Sequence, residues 1–126
     1  MNVLVEGKIW KEFFEGNNVK EVISLEKLLA ENKVIITGFT IVQILKNVKD
    51  KELFDKLLKG FLSLPYVEIE KEDWIRASKL IFNFEDLSVE LALLCSLSQR
   101  KKLRILTKDE GIKEIEGVKL YEDEKE

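Results

Sequence analysis

A chain of 126 residues with 45% apolar residues and a single proline is one domain's worth of compact polymer rather than a disordered segment. It has no histidine and one cysteine, Cys95, which excludes an internal disulfide, a multi-cysteine metal cluster and a histidine general base. The net charge of -3 gives no overall attraction to nucleic acid, so any such contact needs a local basic patch. An enzyme built from this composition must use carboxylates, lysines, hydroxyls or a hard metal ion. No apolar run reaches membrane-spanning length and the N-terminus lacks a signal-peptide pattern, so a cytoplasmic protein with no membrane partner is expected.

In chain order, Val3-Leu4-Val5 predicts a short buried strand ending at Glu6-Gly7, and Ile9 to Phe14 a short helix carrying Trp10, Phe13 and Phe14. Val22, Leu25 and Leu29 recur at helical spacing within 19–32. Val34-Ile35-Ile36 is a second β-branched strand, followed by helices over 40–46 and 51–62. Pro65 stops the latter, and Tyr66 to Ile69 alternates apolar with acidic residues as a strand. Residues 71–82 predict a helix with Trp74, Ala77, Leu80 and Ile81 inward. Residues 88–100 predict a helix apolar nearly all round, hence central and buried. A strand at 103–106, a short helix at 109–115 and a last strand at 118–120 complete a domain spanning 1–121. The charged tail 122–126 is expected to fray.

Strands alternating with helices imply an α/β fold: a three-layer α/β/α sandwich around a mostly parallel, five-stranded sheet. Ligands of such sheets meet the carboxyl ends of the strands. That directs attention to Glu6-Gly7-Lys8, to the residues after Ile36 and to Thr107-Lys108-Asp109. Gly7 stands alone, which argues against a Rossmann or P-loop phosphate cradle. A phosphoacceptor receiver, another three-layer fold, is disfavoured because paired acids after the first strand are missing.

Three segments, VLVEGKIWKEFFEG (3–16), VIITGFTIVQILKN (34–47) and LALLCSLSQRKKLRILTKD (91–109), together resemble the PIN domain family in order and spacing. The resemblance runs from about Met1 to Tyr121 and is nearest in style to the VapC-type toxin ribonucleases. It implies a cluster of carboxylates holding Mg²⁺ or Mn²⁺, hard cations that require oxygen ligands and that activate water for attack on phosphorus. Carried onto this chain, the family's Asp, Glu, Asp and Asp fall on Glu6, Gln43, Leu91 and Asp109. Asp109 is kept, with Thr107 before it. Glu6 is one methylene too long, Gln43 has lost its charge, and Leu91 has no ligand atom. The hydroxyl pair that follows the first acid in the family is replaced by Gly7-Lys8.

Glu6 and Asp109 are therefore the expected catalytic remnants, and the metal ligands if an ion binds. Glu90 is a candidate substitute acid, although one helical step turns it by about 100° from Leu91 and is expected to point it elsewhere. Lys8 is a candidate substitute cation against Glu6 or Asp109, with a solvent-facing lysine the plainer expectation. Arg100, Lys101, Lys102 and Arg104 are candidates for RNA phosphate contact, or simply a charged C-terminal helical turn. Asp109 suits a helix N-cap, Leu91 a core position, and Trp10, Phe13 and Phe14 core or dimer packing.

The function implied by the resemblance is that of a relative of metal-dependent toxin ribonucleases with weak or lost nuclease activity and a residual RNA- or protein-binding role. No tightly held cofactor is expected, with Mg²⁺ or Mn²⁺ if the protein is active. RNA, an antitoxin-like protein and a second copy in a homodimer are the implied partners. The alternative is an active Mg²⁺- or Mn²⁺-dependent endoribonuclease, the toxin of a toxin–antitoxin pair, using Glu6, Asp109 and a recruited Glu90, Glu110 or Asp86. A third class is a purely structural, partner-binding module.

Overall fold

The structure, a computed structural model, describes residues 2–122, so the expectation of a frayed tail falls, beyond Glu122, outside the described residues. The elements are β1 (Val3–Val5), α1 (Gly7–Phe14), α2 (Lys20–Ala30), β2 (Val34–Ile35), α3 (Gly38–Leu45) and α4 (Lys51–Leu62). After them come α5 (Lys71–Asn83), α6 (Val89–Lys101), β3 (Arg104–Leu106), a 3₁₀ turn (Glu110–Glu114) and β4 (Lys119–Leu120). Three helices start on a side-chain cap: Thr37, Asp50 and Ser88 accept from the backbone N–H of Thr40, Leu53 and Leu91.

The sheet is parallel throughout, in the order β2-β1-β3-β4. Side chains alternate across it, as strand geometry demands. Val3 and Val5 of β1 and Leu106 of β3 pack on one face against Trp10, Leu25 and Phe61. Leu4 and Ile105 pack on the other, against Leu94, Leu97 and Ile112. The result is the expected three-layer sandwich. The early aromatic residues serve the core: Trp10 is buried, with the rings of Phe13, Phe14 and Phe61 around it. Helix α6 is buried continuously from Glu90 to Ser98. It ends at Lys102, whose left-handed backbone (φ 57°) turns the chain into β3.

The sheet has four strands among the described residues, not five. Tyr66 to Ile69 makes one isolated parallel bridge, Tyr66 to Ile36, and then leaves the sheet. One long-range and one local side chain capture the backbone that would have extended the ladder. The Glu68 carbonyl accepts from the Arg100 guanidinium at 3.0 Å, and the Glu70 N–H donates to the Asp73 carboxylate at 2.9 Å.

Asp73 is the centre of that clamp and is fully buried. Its carboxylate accepts from Arg100 Nη2 at 2.6 Å and from the Ser96 hydroxyl at 2.9 Å. Burial works against its charge. The Arg100 guanidinium and the bonds from Glu70 N–H and Ser96 outweigh that and hold the carboxyl below its ordinary value. Removing one partner of a buried pair strands the other. Asp73→Ala should cost about 3–5 kcal/mol in urea unfolding, and Asp73→Asn distinctly less; near-neutrality of the alanine variant would count against the clamp.

Candidate functional site

From β1 the chain crosses to β2 on one flank, while β3 lies on the other, so the carboxyl ends of β1 and β3 form a topological switch point. Glu6 emerges there, its backbone N–H continuing the ladder to the Leu106 carbonyl at 3.1 Å. Its side chain is only 5% exposed, and Oε1 accepts from the Thr107 hydroxyl at 2.6 Å. Thr107 Oγ1 in turn accepts from the Asp109 N–H at 3.0 Å.

A second carboxylate enters from the first turn of α6, and it belongs to Glu90, not Leu91. Glu90 is 4% exposed. Its two oxygens accept from the Gly7 N–H at 3.1 and 2.9 Å, and Oε2 also accepts from the Thr40 hydroxyl at 2.9 Å. Thr37 Oγ1 donates to Thr40 Oγ1 at 3.2 Å behind it. Leu91 packs in the core beside Leu94 and Cys95. The expectation that Glu90 points away is thus corrected by one helical step. Gly7 is explained by the same contact, since a Cβ there would lie 3.2 and 3.4 Å from the Glu90 oxygens.

The other candidate positions disperse. Gln43 is exposed on α3, in a groove it shares with Lys8. Lys8 is exposed and pairs with neither Glu6 nor Asp109 among the described residues. Asp109 is exposed and caps the 3₁₀ turn, Oδ1 accepting from Gly111 N–H at 3.0 Å, as an N-cap should. Asp109 and Asp86 line one shallow cleft of about 220 Å³. Glu110 is exposed in the 3₁₀ turn. Of the basic run, Arg100 is committed to Asp73, Lys101 and Lys102 are exposed, and Arg104 is half-buried on β3. The sequence directs attention to the segments holding Gly7 and Thr37, but not to the network that ties them to Glu90, nor to Thr40. Their signal was Ser88: as N-cap it fixes where α6 begins, and hence that Glu90 lies in the first turn, facing the strand tips.

Among the described residues, no group of three or more acids or cysteines is placed to hold a metal ion. Magnesium asks for near-octahedral oxygen ligation. Here, at the strand tips, Glu90 is spent on Gly7 and Thr40, one Glu6 oxygen on Thr107, and an Asp109 oxygen on Gly111. The donor set does not fit a preformed Mg²⁺ or Mn²⁺ centre.

Burial pushes the Glu90 carboxyl up to about 7, and the nearby charge of Glu6 adds to this, against the opposing bonds from Thr40 and Gly7. A folded-state value above the unfolded one means the native protein binds the extra proton. That stabilisation is full below the unfolded pKa and is lost as pH rises through about 7. No histidine titrates in that window, and burial pushes the Cys95 thiol up to about 12, so the signal is nearly clean of other side chains. Between pH 5 and 8 the wild type should lose on the order of 1–3 kcal/mol of stability. Glu90→Gln should flatten the profile. Parallel pH profiles of the two proteins in urea unfolding would refute the assignment.

No family model matches the sequence, and no curated protein matches it by sequence. Solved structures match by shape. A chain of a toxin–antitoxin complex from Klebsiella pneumoniae superposes with a TM-score of 0.72 at 17% identity, covering 97% of this chain and 100% of that one. A chain of VapBC2 from Rickettsia felis, bound to a DNA fragment from its promoter, gives 0.72 at 18% identity, covering 96% and 98%. A chain of FitAcB from Neisseria gonorrhoeae gives 0.69 at 12% identity, covering 95% and 96%. The toxins of these complexes are PIN domains, and the fold of this chain is the PIN fold.

Proposed function

We propose that this chain is the toxin-type member of a two-protein pair, a PIN-like domain whose nuclease activity is weak or lost and whose retained role is to bind an antitoxin-like protein or RNA. The observation that carries the reading is the internal use of its carboxylates. Glu90 caps α1 through Gly7 and takes the Thr40 hydroxyl, Glu6 takes Thr107, and Gln43 brings no charge. Those bonds compete with a divalent ion for the same carboxylates. The solved structures of like fold are complexes with a partner protein, which supports an antitoxin-like partner.

One observation favours the rival, an active Mg²⁺- or Mn²⁺-dependent endoribonuclease: Glu90 is the recruited acid that such a site requires, buried close enough to Glu6 to feel its charge. Two measurements decide. Ions that bind the native state raise its melting temperature. Millimolar Mn²⁺ should move that temperature by less than about 2 °C, and labelled RNA should remain intact. Metal-dependent cleavage that disappears in Glu6→Gln or Glu90→Gln would overturn the proposal in favour of the working enzyme.

Homodimerisation belongs to the same proposal. The early aromatic residues are used mainly in the core, whereas α5 exposes Ile75 and, at 88%, Phe82, seven residues apart on one face. With Trp74 also half exposed on the same helix, these side chains form the apolar patch that this reading assigns to a dimer interface. In size-exclusion chromatography with light scattering, the wild type should run as a dimer and Phe82→Asp should shift toward monomer. A monomeric wild type at high micromolar concentration would remove dimerisation from the proposal.

A further inference from the structure

We infer that the amino-terminal edge of the sheet, opposite the carboxylates, is a basic strip of Lys101, Lys102, Arg104 and Lys119 that binds the phosphodiester backbone of a nucleic acid; this rests on the RNA-binding role proposed above and assigns it a surface. Lys101 ends α6, Lys102 caps it and Arg104 opens β3. Arg104 precedes Thr107 by three residues, about 10 Å along the strand. The register sets Arg104 directly beside Lys119 of β4 on one flank and Val3 of β1 on the other. Neighbouring strands lie about 4.8 Å apart, and like charges side by side across them are destabilising. No carboxylate relieves that repulsion, since neither residue has an ion-pair partner among the described residues. Arg104 is moreover half-buried, yet its guanidinium makes no hydrogen bond there, its buried Nε included. Arg100, four residues earlier, is by contrast used by Asp73 and Glu68. A half-buried cation without a counter-charge leaves an anion from outside to balance it.

Lys101 and Lys102 extend the strip. Both are exposed and unpaired, and the left-handed backbone of Lys102 turns the chain into β3. Lys33 lies at the same edge, just before β2, but pairs with Glu31 at 3.5 Å and is not part of it. Glu116 and Glu122, on either side of Lys119 in sequence, pair with none of the four cations. The chain as a whole carries -3, so a polyanion is repelled by most of the surface and drawn to local positive charge. The composition of this edge then selects the partner. None of the exposed large apolar side chains among the described residues falls within 99–121. An acidic protein would find no apolar anchor for an interface core, and bases would find no exposed aromatic face to stack on. A phosphate backbone needs only the cations.

The test is fluorescence anisotropy of the full chain across a salt series, with two labelled single-stranded RNAs of unrelated sequence and a labelled DNA duplex. Binding at low salt should be nearly independent of sequence and sugar, because phosphates carry no sequence information. Four phosphate contacts predict a duplex affinity that falls on the order of 100-fold between about 50 and about 200 mM salt. Arg104→Gln and Lys119→Gln should each reduce the salt slope by about 1, whereas Arg104→Lys should keep it. Melting curves would verify folding, and Lys101→Gln with Lys102→Gln, both exposed, repeats the test should Arg104→Gln not fold. Binding that ignores these changes but is lost in Lys8→Gln with Lys11→Gln places the nucleic acid at the carboxyl-terminal edge; that overturns the inference and leaves the RNA-binding role standing. A strong preference for one sequence or one sugar overturns the backbone assignment. Unchanged binding with a lowered melting temperature in Arg104→Gln makes that cation structural and overturns it too. Failure of every nucleic acid to bind at low salt overturns both the inference and the RNA part of the proposed function.

Discussion

The architecture at the strand tips depends on a carboxylate docked on a helix N-terminus. Glu90 projects from α6, which packs with the layer containing Leu4 and Ile105, yet it bonds to Gly7 of α1 and Thr40 of α3, which belong to the opposite layer. One side chain therefore ties both helical layers together at the carboxyl edge of the sheet. The first N–H groups of a helix have no partner within it, and an anion there is favoured by the helix dipole. Burying a charge costs several kcal/mol, so the arrangement holds only because charge-assisted bonds and proton uptake offset it.

Residues 6, 7 and 90 are best understood as one unit. The Glu90 oxygens lie 3.2 and 3.4 Å from where a Cβ of residue 7 would be. The glycine at 7 is in a helical conformation that any residue adopts, so its smallness answers the carboxylate rather than the backbone. A side chain at position 7 would require the Glu90 carboxylate to shift slightly.

Much of this was legible in the sequence, and the failures have physical causes. Helix 51–62 reads to the residue because its apolar face repeats cleanly and Asp50 caps it. The strand tips bearing Glu6 and Thr107 follow from β-branched runs ending at polar residues. The step from Leu91 to Glu90 was lost because α6 is buried on nearly every side, so periodicity carries no information about which residue faces the site. The missing fifth strand fails differently. Its alternation is real, but Arg100 takes the Glu68 carbonyl from 32 residues away, a contact that local pattern cannot reveal. The fate of Lys8 is a matter of direction: two residues past Glu6, it lines the groove instead of pairing with a carboxylate.

Two obstacles stand between this pocket and a divalent ion, and their sizes differ. The first is the proton on Glu90. With that carboxyl near 7, removing it at neutral pH costs under about 1 kcal/mol, so protonation alone would not keep a metal out. The second is geometry. An ion that drew the Glu90 oxygens toward Glu6 would leave the Gly7 N–H and the Thr40 hydroxyl without partners in a buried site. Each unsatisfied group costs about 1–3 kcal/mol, and uncapping α1 would loosen the helix that carries Lys8 and Lys11. For an ion held that way, the hydrogen bonds would be a larger barrier than the proton, and a carboxylate restored at Gln43 would leave them in place.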